Sequence, residues 1–99
     1  MSRNGDRVLT LHPAGKNGVR IQRSKYVEMR RALLRVVPRS ARGIPFAELA
    51  RRVEPHLGAA YRPGDSVTWY VVAVKQDLEA RGELELVPGA RPQRLRRPA

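Results

Sequence analysis

The segment from Gly64 to Arg97 constrains the fold more than the rest of the chain, because it joins one long amphipathic helix to a short β-ribbon. We predict the helix over residues 65–81, with Asp65 or Ser66 as its N-cap. Its core-facing residues recur at the spacing of one helix face: Val67, Val71, Val74 and Leu78. Gly82 supplies the left-handed residue with which many helices end.

The residues after Gly82 have the pattern of two short strands. Leu84 and Leu86 alternate with glutamates, which is the period of a half-buried strand. Residues 88–92 contain two prolines and a glycine and form a turn, after which residues 93–97 return as the partner strand. A helix followed directly by a β-hairpin is typical of the second half of a winged helix-turn-helix.

Two further amphipathic helices precede this segment. The first is predicted over residues 25–37, with Ser24 as its N-cap and Pro38 ending it. Ile44 is expected to pair as a third strand beside the ribbon. A second helix follows with Pro45 in its first turn and apolar residues spaced from Phe46 to Leu57, and Pro55 near its end is expected to shorten or kink it. We therefore predict an α+β, mainly α, winged helix-turn-helix with three helices and a small antiparallel β-hairpin wing.

The predicted winged-helix domain covers residues 24–97, and residues 1–23 form a basic N-terminal arm that is partly ordered. The arm contains two β-prone pieces, residues 7–11 and 18–21, with glycines and a proline between them. We expect the arm to fold back on the domain.

Composition limits the chain to one small domain that can bury one modest core. The 99 residues include no cysteine, which excludes disulfides and thiolate metal sites. No apolar run approaches the roughly 20 residues of a membrane span, and the first residues lack the apolar core of a signal peptide. We therefore expect a bacterial cytoplasmic protein.

The net charge of +11 favours a polyanionic partner. The alternative is a composition effect, because seventeen of the twenty basic residues are arginine, a bias that a GC-rich genome also produces. The charge is unevenly distributed: residues 1–42 carry +9, residues 43–90 carry −2 and residues 91–99 carry +4. We therefore expect the basic surface in the arm, the first helix and the second strand of the ribbon.

Nearly the whole chain resembles a family of short bacterial proteins of unknown function with a winged-helix fold. The likeness rests on VTWYVVAVKQDLEARG at residues 67–82 with the following ELELVPG and PQRLR, and on LTLHPAGKNGV at residues 9–19 followed by Tyr26. This resemblance implies a fold and no function. A looser likeness connects the chain to the winged-helix modules of bacterial transcription regulators and restriction systems, which is an analogy of fold.

The preferred function is binding of double-stranded DNA, mainly through phosphate contacts of a basic wing and the first helix. The expected phosphate-binding residues are, in the wing, Arg91, Arg94, Arg96 and Arg97, and, on the first helix, Arg30, Arg31 and Arg35. The third helix has few of the side chains that usually read bases, so Ser66 and Gln76 are its only plausible base readers.

Trp69 lies opposite the predicted core face of the third helix, so it faces solvent unless another segment covers it. We expect the arm to cover it through Val8, Leu9, Leu11 or Val19. An exposed Trp69 is instead an anchor for a protein partner, either another protein or a second copy of the chain. The alternative function is therefore a protein–protein interaction or scaffold module built on the winged helix.

Features of an enzyme or a metalloprotein are weak in this sequence, and we expect no catalytic activity, metal or cofactor. His12 and His56 each stand without the further ligands that a metal site needs. Residues 15–18 lack the glycine spacing and the Ser or Thr of a phosphate loop. The apolar side of the first helix is needed for the core, which argues against membrane binding, and no small-molecule substrate is indicated.

Overall fold

The computed structural model describes residues 6–98, so residues 1–5 of the predicted arm lie outside the described residues. Within that range the α-helices are α1 (Arg23–Val36), α2 (Leu49–Val53) and α3 (Val67–Ala80). The strands there are β1 (Arg7–Leu11), β2 (Asn17–Gln22), β3 (Ile44–Pro45), β4 (Glu85–Leu86) and β5 (Arg94–Arg96). The predicted α+β class with three helices and small antiparallel sheets is confirmed. The structure between residues 6 and 98 has a mixed content of helices and strands.

A single hydrophobic core lies where the helices meet the strands. Its most deeply buried side chains come from every helix and from the strands or their flanking residues: Ile21, Met29, Leu33, Leu49, Val53, Val74, Leu78, Leu84 and Leu95. Burying each such side chain contributes about 1.5–3 kcal/mol. No helix between residues 6 and 98 has the length and apolar character needed to span a bilayer.

A three-stranded antiparallel sheet, in the order β3-β5-β4, closes one end of this core. Leu95 in the central strand pairs with Ile44 on one side and with Leu86 on the other. The prediction that Ile44 pairs beside the ribbon is therefore confirmed. Because Leu95 is fully buried, the residues on either side of it, Arg94 and Arg96, lie on the outer face of the sheet.

A second, two-stranded sheet is formed by the hairpin of β1 and β2, and this hairpin packs against α3. Val8 pairs with Ile21, which enters the core, whereas Leu9 pairs with Arg20 on the opposite face. Thr10 lies on the inner face, where its hydroxyl accepts a hydrogen bond from the Val19 N–H and donates one to the Val19 carbonyl. The two β-prone pieces of the predicted arm are therefore strands.

Several helix boundaries differ from the prediction. The second helix is shorter than its apolar spacing indicates, because single 3-10 turns, Phe46–Glu48 and Glu54–His56, flank the five residues of α2. The prediction that Pro55 shortens this helix is confirmed, since Pro55 lies in the second of these turns and has no N–H to continue an α-helix. The first helix begins one residue earlier than Ser24, and no side chain caps it. Gly82 does end α3, with a φ of 78°.

Candidate nucleic-acid interface

Five arginines from two separate segments converge beside the C-terminal end of α1. We call them the arginine patch: Arg39, Arg42, Arg94, Arg96 and Arg97. β5 contributes two of them from the outer face of the three-stranded sheet, and the loop of residues 38–43 runs alongside that strand. The fold thus brings together basic groups that lie more than fifty residues apart in the sequence.

Hydrogen bonds to main-chain carbonyls hold the two β5 arginines of the patch against the loop. Arg94 donates from Nε to the carbonyl of Arg42 at 2.7 Å and from Nη2 to that of Gly43 at 3.2 Å. Arg96 donates from Nη1 to the carbonyl of Ala41 at 3.0 Å. These contacts fix the guanidinium planes and leave each of them with further N–H donors.

The remaining patch arginines follow the same pattern at the end of α1. Arg97 donates from Nε to the carbonyl of Val37 at 2.8 Å. Arg39 donates from Nη1 to the carbonyl of Pro98 at 2.9 Å and is otherwise exposed. Because carbonyls are neutral, these bonds orient the arginines without cancelling their charge.

One carboxylate is paired inside this region, that of Glu85, which accepts from Nε of Arg96. The Arg42 guanidinium is exposed and has no hydrogen-bond or ion-pair partner among residues 6–98. The patch therefore holds five arginines with one carboxylate paired among them, and the Arg42 guanidinium is available to a ligand.

Sequence reasoning missed Arg39 and Arg42 as members of this surface. The signal that could have found them is Gly43, whose φ of 63° and close contact with β5 are suited to glycine. A Cβ at this position would lie 2.2 Å from the carbonyl oxygen of Leu95. The loop therefore has to run against the strand, and its arginines have to lie beside those of β5.

The other expected phosphate-binding residues lie outside the hydrogen-bonded patch. Arg31 and Arg35 are exposed on the outward side of α1, one helical turn apart. Arg30 turns to the side and pairs with Glu83. Arg91 is exposed in the turn between β4 and β5.

The expected base readers of α3 are separated from each other along the helix. The Ser66 hydroxyl is the N-cap of α3 and accepts a hydrogen bond from the Trp69 N–H at 3.2 Å. Gln76 lies ten residues further along, about 15 Å up the helix axis, where it lines a groove between α3 and the β1–β2 hairpin. The groove has a volume of about 170 Å³.

Trp69 lines the same groove, with Val19 of the hairpin on the other wall. Its ring meets Tyr70 edge-on at a centroid separation of 4.9 Å. The expectation that the arm covers Trp69 is wrong, because the residue remains 47% exposed. The hairpin packs beside the indole and leaves much of it in contact with solvent.

A cluster around Lys25 ties the start of α3 to α1. Its Nζ donates to Asp65 at 2.7 Å and lies over the rings of Tyr61 and Tyr70, at 5.5 and 5.0 Å from their centroids. The hydrogen bond to Asp65 raises the pKa of Lys25, and the same bond lowers the pKa of the Asp65 carboxyl. All partners are satisfied within the fold, so we assign this cluster a structural role.

No group of three or more potential metal-ligating side chains occurs between residues 6 and 98. Comparison with protein families matches residues 7–95 to a family of unknown function (DUF6958). No curated protein matches the chain, and no solved structure matches it. Because the match covers almost all of the sequence, the chain belongs to this family.

Proposed function

We propose that this member of the DUF6958 family is a winged-helix protein that binds double-stranded DNA through phosphate contacts, without a catalytic role. The observation that carries the proposal is the arginine patch, in which the fold gathers five arginines around the end of α1 and the loop of residues 38–43. Polyanion binding by clustered arginines supplies affinity that is independent of sequence.

The order of elements supports the winged-helix part of the proposal. After the hairpin, the chain runs α1, β3, α2, α3, β4, β5, and β5 lies between β3 and β4 in the sheet. A helix pair followed by a hairpin whose last strand pairs with a strand from between the first two helices is the arrangement of a winged helix. The β4–β5 turn, with Arg91 exposed in it, then corresponds to the wing.

The chemistry of the patch favours phosphate as its ligand. Arginine presents a planar fork of donors that matches two phosphate oxygens, and its charge persists at every physiological pH. The carbonyl contacts of Arg94, Arg96 and Arg97 hold the guanidinium groups in place before a ligand arrives. Less side-chain entropy is therefore lost on binding than for freely rotating arginines.

A protein-interaction module is the second candidate function, and the half-exposed Trp69 is the observation that favours it. Exposed tryptophans are common anchors of protein interfaces. Absence of duplex binding at low salt would favour this second function over the first.

The test of the proposed function is anisotropy of a labelled random-sequence duplex titrated with the chain over a series of salt concentrations. The decisive variant is Arg39→Ala/Arg42→Ala. Its matched control is Arg51→Ala/Arg52→Ala, which removes the same charge from the exposed α2 arginines that pair with Glu48. Circular dichroism establishes that both variants are folded.

We expect the plot of log affinity against log salt to be steep for the parent chain, and its slope to fall by about one unit per phosphate contact removed. The patch variant should therefore lose affinity for every duplex and show a shallower slope, whereas the α2 control should change little. Equal effects of the two variants would mean that only total charge matters. Absence of binding at low salt would refute the proposed function.

A further inference from the structure

The outer face of the β1–β2 hairpin consists entirely of exposed side chains of kinds that contact DNA bases. Its cross-strand pairs are Arg7 with Gln22 and Leu9 with Arg20, and Leu11 continues the same face of β1. The register shifts after Leu9, and Asn17, the partner of Leu11, lines the groove between the hairpin and α3. All five outer-face residues are exposed, including leucines that are 46% and 43% exposed. Two large apolar side chains in solvent on so small a sheet indicate a surface that is covered by a partner.

The charge of the hairpin indicates what kind of partner covers it. Residues 7–22 contain no acidic residue and carry three basic ones, Arg7, Lys16 and Arg20. Just outside the hairpin, Asp6 is already paired with Arg23 at 3.0 Å. The hairpin therefore complements a polyanion, and the chain's overall charge of +11 disfavours a second copy of itself as the partner.

The side chains on this face match the chemistry of base edges in the major groove. Arginine pairs with guanine, asparagine and glutamine pair with adenine, and apolar side chains contact the methyl group of thymine. Arg7, Arg20 and Gln22 supply the polar contacts, and Leu9 and Leu11 supply the apolar ones. Phosphate binding alone would not explain exposed leucines between the arginines.

The size of the hairpin also matches the major groove of B-form DNA. The major groove of B-form DNA is about 12 Å wide and accepts a two-stranded β-ribbon. The five residues of β1 extend about 17 Å, which corresponds to about five base pairs. The major groove of A-form RNA is deep and narrow, so it does not accept such a ribbon.

The hairpin is held rigidly, as a reading element has to be. The Leu11 N–H donates to Asp77 Oδ1 of α3 at 2.8 Å, and Ile21 is buried in the core. At the open end, the Arg23 N–H donates to the carbonyl of Asp6 in addition to their ion pair. The outer face is thus presented in one orientation.

We infer that the outer face of the β1–β2 hairpin enters the major groove of B-form DNA and reads base edges, in place of α3. This inference rests on the proposed function and adds the element that supplies sequence preference. α3 is poorly placed for that role, because Ser66 caps the helix and Gln76 lines the groove between the helix and the hairpin.

The test is selection of bound sequences by the full chain from a library of duplexes with a randomised centre, followed by anisotropy with the enriched duplex and a scrambled one. The decisive variant is Gln22→Ala. The Gln22 side chain makes no hydrogen bond within residues 6–98 and does not cap α1, so the fold should be retained. The matched control is Gln76→Ala on α3.

We expect the selection to yield an enriched sequence. In the hairpin variant, the ratio of the affinities for the enriched and the scrambled duplex should fall at least about tenfold, while the affinity for the scrambled duplex is unchanged. Gln76→Ala should keep the preference. Binding without any enriched sequence would overturn the inference and leave the proposed function standing. A preference lost in Gln76→Ala and kept in the hairpin variant would overturn it in favour of α3, and absence of all duplex binding would overturn both proposals.

Discussion

Replacing Asp77 by alanine should remove about 3–5 kcal/mol from the free energy of unfolding, because this carboxylate joins the hairpin to two helices. Asp77 is 0% exposed. It accepts hydrogen bonds from the Leu11 N–H at 2.8 Å, from Nε of Arg81 at 2.9 Å and from the Tyr26 hydroxyl. Three donors, from β1, from α1 and from the residue after α3, thus converge on one buried group.

The estimated loss of unfolding free energy follows from what happens to each hydrogen-bond donor when the Asp77 carboxylate is removed. The Arg81 side chain is 40% exposed, so water replaces its lost partner at little cost. The main-chain N–H of Leu11 and the hydroxyl of Tyr26 are partly buried, and each unsatisfied group costs about 1–3 kcal/mol. The cavity left by the carboxylate adds to this loss. Because a domain of this size is stable by about 5–15 kcal/mol, the variant should retain only part of its stability.

Urea unfolding followed by far-ultraviolet circular dichroism measures this difference. Asp6→Ala is the matched control, since Asp6 also anchors the hairpin but forms an exposed ion pair, typically worth about 0–1 kcal/mol. Hydrogen exchange at the Leu11 amide should also become faster in Asp77→Ala. If the two variants were equally stable, the buried network would not be what secures the hairpin.

Two further predictions concern the same region. Gly18→Ala should lower the Tm by roughly 5–20 °C in a thermal melt, because its Cβ would lie 2.3 Å from the main-chain oxygen of Thr10; an unchanged Tm would contradict this close packing. Burial and the Asp77 carboxylate raise the pKa of Tyr26 from 10.0 to about 12. Since the folded state favours the neutral phenol, Tyr26 makes its full contribution to the free energy of unfolding below about pH 10. This contribution is lost as the pH rises towards 12. Urea unfolding between pH 8 and 11.5 should show that the free energy of unfolding falls less with rising pH in Tyr26→Phe than in the parent chain. Equal decreases in the two chains would contradict the raised pKa of Tyr26.

Local patterns in the sequence predicted most of the elements. The apolar spacing of α3 and the glycine that ends it were sufficient to place that helix within a residue or two. The pairing of Ile44 with the ribbon was also predictable from its position between two helices. These features depend on near neighbours, whose spacing the sequence displays directly.

Contacts between distant segments could not be predicted in the same way. Asp77 looks like an ordinary acid of a solvated helix face, yet its partners include Leu11 and Tyr26, 66 and 51 residues away. Arg94 looked like a free phosphate ligand, yet two of its donors hold the loop of residues 38–43. The arm was expected to cover Trp69, but the register of the hairpin places Val19 only along one wall of the groove.

The two surfaces proposed for DNA lie at opposite ends of one rigid element. The hairpin leads directly into the start of α1, and the arginine patch lies beside its end. The fourteen residues of α1 span about 21 Å, which corresponds to about six base pairs. Affinity and sequence preference are therefore assigned to separate parts of the chain, with α1 as the spacer between them. On this arrangement, a change in the patch should alter binding to all sequences alike, and removal of the uncharged Gln22 side chain from the hairpin should alter only the choice among them.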